Sequence, residues 1–182
     1  MVFLRLGSLA TWWMTPRPSP SREEKPALAI KALSAAEVEG FLAGHGLGLA
    51  KAAELNGYPG PKHVLELARQ LDLNGNQTRR TQVVFDKMQA TARTLGAEWV
   101  AREAALDSLL SRQAIMPPEL AGRIDAIGSI KARLRFTHMA AHMEMMEILT
   151  REQVQIYQDL RGLDPGGNGA HHEHNQHAAS AT

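Results

Sequence analysis

Apolar residues recur at steps of three and four through the middle of the chain. Val84, Met88, Ala92, Leu95, Trp99, Leu106 and Leu110 form one such row, interrupted at Arg102-Glu103. That spacing puts side chains on one face of an α-helix, and no proline stands between Gly75 and Arg112 to end it. A continuous helix over those residues would be about 57 Å long at 1.5 Å per residue. A second row, Leu120, Ile124, Ile127, Leu134, His138, Ala141, Met145 and Ile148, predicts a partner helix from Pro118 to Ile148. The short link Gln113 to Met116 forces the two to run antiparallel. Gly96, Gly122 and Gly128 should weaken these helices locally, by about 1 kcal/mol each relative to alanine.

Shorter elements flank the pair. Ser34-Ala35-Ala36-Glu37 has the form of a capping box, in which an N-cap side chain and the residue three further on exchange hydrogen bonds with each other's backbone. It opens a helix to about Ala43, which the glycines of Gly44 to Gly48 end. A second short helix is predicted over Leu49 to Leu55, and Pro61 suits the first turn of a third that carries Val64, Leu65, Leu67, Ala68 and Leu71. The final helix begins with Leu149-Thr150-Arg151-Glu152-Gln153, a capping box with Thr150 as cap and Gln153 as its partner, and stops at Gly162. A variant of the same signal, Leu73-Asn74-Gly75-Asn76-Gln77, opens the first long helix. If these are only caps, Thr150→Ala should cost about 1 kcal/mol and Gln153→Ala less.

The resulting expectation is an all-α fold, a long antiparallel helical hairpin with short flanking helices over residues 34–163. Residues 1–33 read as an export-signal-like or disordered N-terminal segment, and 164–182 as a disordered, His-rich tail. Met1 to Met14 is largely apolar but lacks a basic start and is too short to span a bilayer. The 182 residues carry a formal charge of +1, so no overall field directs the chain to nucleic acid or membrane. Aromatic residues make up 5%, which implies a thin core. A two-helix hairpin cannot bury both apolar stripes alone, which predicts self-association through Trp99, Leu106, Leu110 and the Ile124-Ile127-Leu134 stripe. With no cysteine there is no disulfide, thiolate metal site or thiol nucleophile.

His138 and His142 stand four apart on the second long helix, a spacing that two metal ligands can use. Met139, Met143, Met145 and Met146 surround them. Imidazole suits zinc, nickel or copper(II), and thioether suits copper(I). The same residues also read as core filler, because one helix supplies only two or three ligands; His45 or His63 would have to complete a site. The tail holds four more histidines, His171, His172, His174 and His177, a tract that binds transition ions loosely. No cofactor is obligatory on these grounds, and zinc, nickel or copper are the candidate ions. Val64 to Asn74 followed by Gln77 to Arg80 has some likeness to a helix-turn-helix, with Arg79 and Arg80 facing phosphates. Neither a phosphate loop nor a His-Glu-x-x-His pattern occurs, so no enzyme is expected.

The paired signals resemble the LTxxQ motifs of the Spy/CpxP family of small helical periplasmic proteins, which includes stress chaperones and heavy-metal sensors or resistance factors. Leu149, Thr150 and Gln153 match fully, whereas Leu73 and Gln77 flank Asn74 in place of threonine. The resemblance extends over roughly Leu33 to Leu163. It implies a curved, intertwined homodimer of hairpins in the periplasm that binds unfolded client proteins without ATP. Arg79, Arg80, Lys131, Arg133 and Arg135 would rim the client surface. It implies equally a metal-sensing role for His138, His142, Met139 and Met143, with an envelope sensor protein as partner. Neither nucleic acid nor a membrane span belongs to this reading.

Overall fold

The computed structural model describes residues 30–163. Six helices follow one another: α1 (Ala35–Leu42), α2 (Lys51–Leu55), α3 (Pro61–Glu66), α4 (Gly75–Ser111), α5 (Pro117–Met146) and α6 (Arg151–Arg161). No strand occurs among the described residues. The 37-residue α4 and 30-residue α5 lie antiparallel as the hairpin, and α1, α2 and α3 pack against it. No helix among the described residues is long and apolar enough to cross a membrane.

Two apolar clusters hold these elements together. At the base of the hairpin, Val64, Leu71, Val84, Ala141, Met145, Leu149, Val154 and Tyr157 are buried together, joining α3 and α6 to both long helices. Further along, Ile30, Leu33 and Phe41 cover Ala92, Leu95, Trp99, Ile130 and Leu134. The Phe41 and Trp99 rings lie tilted in close contact, with centroids 4.3 Å apart. Ile30 and Leu33, ahead of the Ser34 cap at which ordered structure was expected to start, thus take part in this packing. The export-signal or disorder reading of 1–29, and the His-rich tail 164–182, lie outside the described residues.

All three capping boxes form. Ser34, Asn74 and Thr150 each accept from the N3 backbone, and Glu37, Gln77 and Gln153 each accept from their cap's N–H. Asn74 is no weaker as a cap than threonine: its Oδ1 accepts from both Asn76 N and Gln77 N at 2.9 Å. The two glutamines also clasp each other. Gln77 Nε2 donates to Gln153 Oε1 at 2.7 Å, and Gln153 Nε2 donates to Gln77 Oε1 at 3.2 Å. Gln77 further donates to the Ile148 carbonyl and Gln153 to the Leu71 carbonyl, each at 3.0 Å. Each amide thus uses two donors and two acceptor sites, the full capacity of the group. The start of α4 and the start of α6 are locked to one another.

Two expectations change. Trp99 and Leu134 are buried within the chain by α1 and the segment before it, so neither is free to form a seam between two copies. The helix-turn-helix likeness also has a different form here: α3 stops at Glu66, and α4 runs far beyond the length of a recognition helix, with Gln77 and Thr81 of its first turns buried.

Candidate functional site

α5 sends two histidines inward, and two glycine-bearing loops come down on them. His138 and His142 are both buried. A Cβ on Gly46, in the α1–α2 loop, would stand 3.2 Å from His138 Nδ1; one on Gly60, before α3, would stand 2.9 Å from His142 Cε1. Glycine is what allows these backbones to approach. Gly60 is held in place by its N–H, which donates to the buried Tyr157 hydroxyl at 3.2 Å. His142 Nδ1 lies 2.9 Å from the Tyr58 carbonyl. A carbonyl only accepts, so Nδ1 carries the proton and Nε2 keeps its lone pair.

Burial pushes the pKa of both imidazoles below the ordinary histidine value. For His138 the neighbouring His142 adds to that effect. For His142 the Tyr58 carbonyl and Glu54 oppose it. Both rings are therefore neutral at pH 7, the form that ligates metal. His138 Nε2 is buried with no hydrogen-bond partner, a costly condition for a polar atom.

Between these loops and the hairpin lies a cavity of about 470 Å³, and its wall includes His45, Glu54, His63, His138 and His142. The two isolated histidines of the early part of the chain, His45 and His63, thus come to the same cavity as the α5 pair, within a single chain. At its rim His63 Nδ1 is 2.9 Å from Glu66 Oε2, and His63 Nε2 is 4.0 Å from Glu54 Oε1. That contact with His63 holds the Glu66 carboxyl below the usual range. Glu54 also binds Arg161 of α6. Even so, no three histidine, aspartate or glutamate side chains among the described residues already stand as a metal-holding group. Sequence reasoning gave no role to Glu54, because α2 supplies it from 84 positions before His138 and nothing local marks it.

The methionines do not join the histidines. Met143 and Met146 line a separate groove of about 790 Å³, with Arg79, Arg80 and Val83 of α4 and Glu144 and Glu147 of α5. Met139 is half-buried and lines neither depression. Val83 and Met143 are 65% and 61% exposed. Arg80 reaches the Glu147 carbonyl at 3.5 Å, and Lys87 approaches Glu144 at 3.9 Å across the groove's edge.

The five basic residues do not form one rim. Arg79 and Arg80 border the groove. Lys131 lies over the Trp99 ring, 5.1 Å from its centroid, a cation–π contact. Arg135 is one turn on from Lys131, and Arg133 falls on another side of the helix; both are exposed. No family model, curated protein or solved structure matches the chain.

Proposed function

We propose that the chain is an ATP-independent, client-binding stress-response protein of the Spy/CpxP type, acting in the periplasm as a homodimer. The observation that carries this reading is the groove lined by Val83, Met143 and Met146. Unbranched, polarisable methionine adapts to side chains of many shapes, and a flexible, Met-rich surface can re-pack around different partners. A partly unfolded segment bound there would be shielded from aggregation and still free to leave. The paired LTxxQ-like motifs and the periplasmic setting they imply agree with such a role, which needs no chemistry on the client.

The test is suppression of aggregation, followed by light scattering of a chemically denatured model protein. The chain should delay scattering at near-stoichiometric ratios, and Val83→Ser with Met143→Ser should weaken that protection several-fold while circular dichroism stays unchanged. Undiminished protection by the double variant would remove the groove from the reading.

A second reading, transition-metal binding or sensing, is supported by one specific observation: the convergence of His45, Glu54, His63, His138 and His142 on one cavity. The neutral, buried imidazoles of His138 and His142, with further imidazole and carboxylate groups on the cavity wall, fit zinc, nickel or copper(II) in donor type. Such an ion would supply cross-linking between α2, α3 and α5. The Tyr58 carbonyl fixes the tautomer of His142, and Glu66 orients His63.

A further inference from the structure

The end of α5 carries four thioethers close together, Met139, Met143, Met145 and Met146, and the fold divides them. Met145 is 0% exposed, sealed into the apolar cluster at the base of the hairpin. Met139 is half-buried. Met143 and Met146 are 61% and 43% exposed. They stand three positions apart, where helical side chains are neighbours, and they line the same groove. Two thioethers are therefore open to solvent in one depression, while the one between them in sequence is closed off.

Methionine is oxidised by peroxides without help from any other side chain, and access decides which methionine reacts first. This chain has no cysteine to intercept the oxidant. In the reaction the sulfur lone pair attacks one peroxide oxygen, an S–O bond forms and the O–O bond breaks. The proton of the transferred hydroxyl passes to the leaving oxygen, which departs as water. Sulfur gives up two electrons and the peroxide takes them.

The product changes what the groove can hold. A sulfoxide replaces a flexible apolar side chain with a polar one, and burying it under an apolar segment costs free energy unless a donor meets it. Arg79 and Arg80 line the same groove. Arg80 Nη2 meets the Glu147 carbonyl at 3.5 Å, longer than an ordinary N–H···O bond. A guanidinium carries several N–H donors, so both arginines offer partners to a sulfoxide oxygen. With Met145 enclosed, α5 keeps its packing on α3, α4 and α6 while the groove surface alters.

We propose that Met143 and Met146 form an oxidation site for peroxide-class oxidants, and that their sulfoxides switch off the groove's affinity for apolar segments. Sulfoxide reductases, one for each sulfur epimer, reverse the step. The switch rests on the client-binding reading above.

Hydrogen peroxide is the probe, applied to the full chain. Peptide mass mapping locates the added oxygen, circular dichroism follows the fold, and light scattering of a chemically denatured model protein reads protection. Met143 and Met146 should gain oxygen well before Met145, and protection should fall several-fold at unchanged ellipticity. Treatment with reductases for both epimers should restore it. Met143→Leu with Met146→Leu, which keeps the groove apolar, should protect equally before and after peroxide. Met116→Leu, at the far end of the hairpin, should behave as the parent does. Full protection by the oxidised parent overturns the switch and leaves the groove reading standing. An equal loss by the double leucine variant on oxidation places the effect elsewhere and also overturns it. Oxidation of Met145 in step with Met143, with loss of helix, makes the reaction damage rather than a switch. A parent chain that gives no protection even when reduced overturns the client-binding reading and the switch with it.

Discussion

At Gln153 a substitution removes several hydrogen bonds at once: those to the Thr150 N–H and the Leu71 carbonyl, and the exchanged pair with Gln77. Their partners lie in a part-buried interior where water replaces them poorly, and each polar group left unpaired costs about 1–3 kcal/mol. Gln153→Ala should therefore destabilise by about 2–3 kcal/mol, against about 1 kcal/mol for Thr150→Ala. This reverses the order that capping alone predicts. Urea denaturation of the two variants decides it, and a Gln153→Ala loss no larger than that of Thr150→Ala would show that the clasp adds nothing. The cap was legible because it acts across three positions. The clasp joins residues 76 positions apart, and no local pattern records that distance. His138 and His142 were likewise legible as a same-face pair, whereas Glu54 and the Tyr58 carbonyl came beside His142 only through the fold.

Among elements, the long helices show how far a glycine's meaning depends on what lies beside it. Sequence treats Gly96, Gly122 and Gly128 alike, as local weak points. In the fold, a Cβ on Gly96 would overlap the Phe41 carbonyl of α1, whereas one on Gly122 or Gly128 would meet nothing. Gly96 is the position at which α1 lies down on α4. Gly96→Ala should therefore lower stability despite its better helix propensity, since backbone cannot move aside as a side chain can. Gly122→Ala and Gly128→Ala should each raise it by up to about 1 kcal/mol. Thermal unfolding of the three variants is the measurement; a stabilised Gly96→Ala chain would mean that α1 is not seated as described. Helix existence and order were readable from the 3.6-residue period, because that period is a local property. The α3 pattern through Leu71 overshot, since its last apolar residues pack from turns after Glu66.

Over the whole molecule, burial is uneven along the hairpin. From Val100 to Ser129 no side chain is buried, and the outer end presents Leu110, Ile124 and Met116, the last 70% exposed. This half of the hairpin is the part that a second copy would cover. Trp99 and Leu134 are already enclosed, so a seam between two copies would lie further out than the stripe alone put it. Sedimentation should show a dimer at micromolar concentration that Leu110→Glu with Ile124→Glu dissociates into folded monomers. A parent chain that sediments as a monomer, or a double variant that stays dimeric, would remove this surface from the assembly. The hydrophobic pattern showed that some apolar surface needed cover. It could not say which part α1 takes, because that depends on the path of Ile30 to Leu33 across Trp99.

The Gln77–Gln153 clasp has one more consequence. It closes a loop that contains almost the whole hairpin, the task that a covalent cross-link often performs in exported proteins. Two primary amides perform it here with groups that neither titrate near neutrality nor change oxidation state. A chain without cysteine thereby gains a fastening indifferent to acid and to oxidants, the two insults that most readily alter thiols, carboxylates and imidazoles.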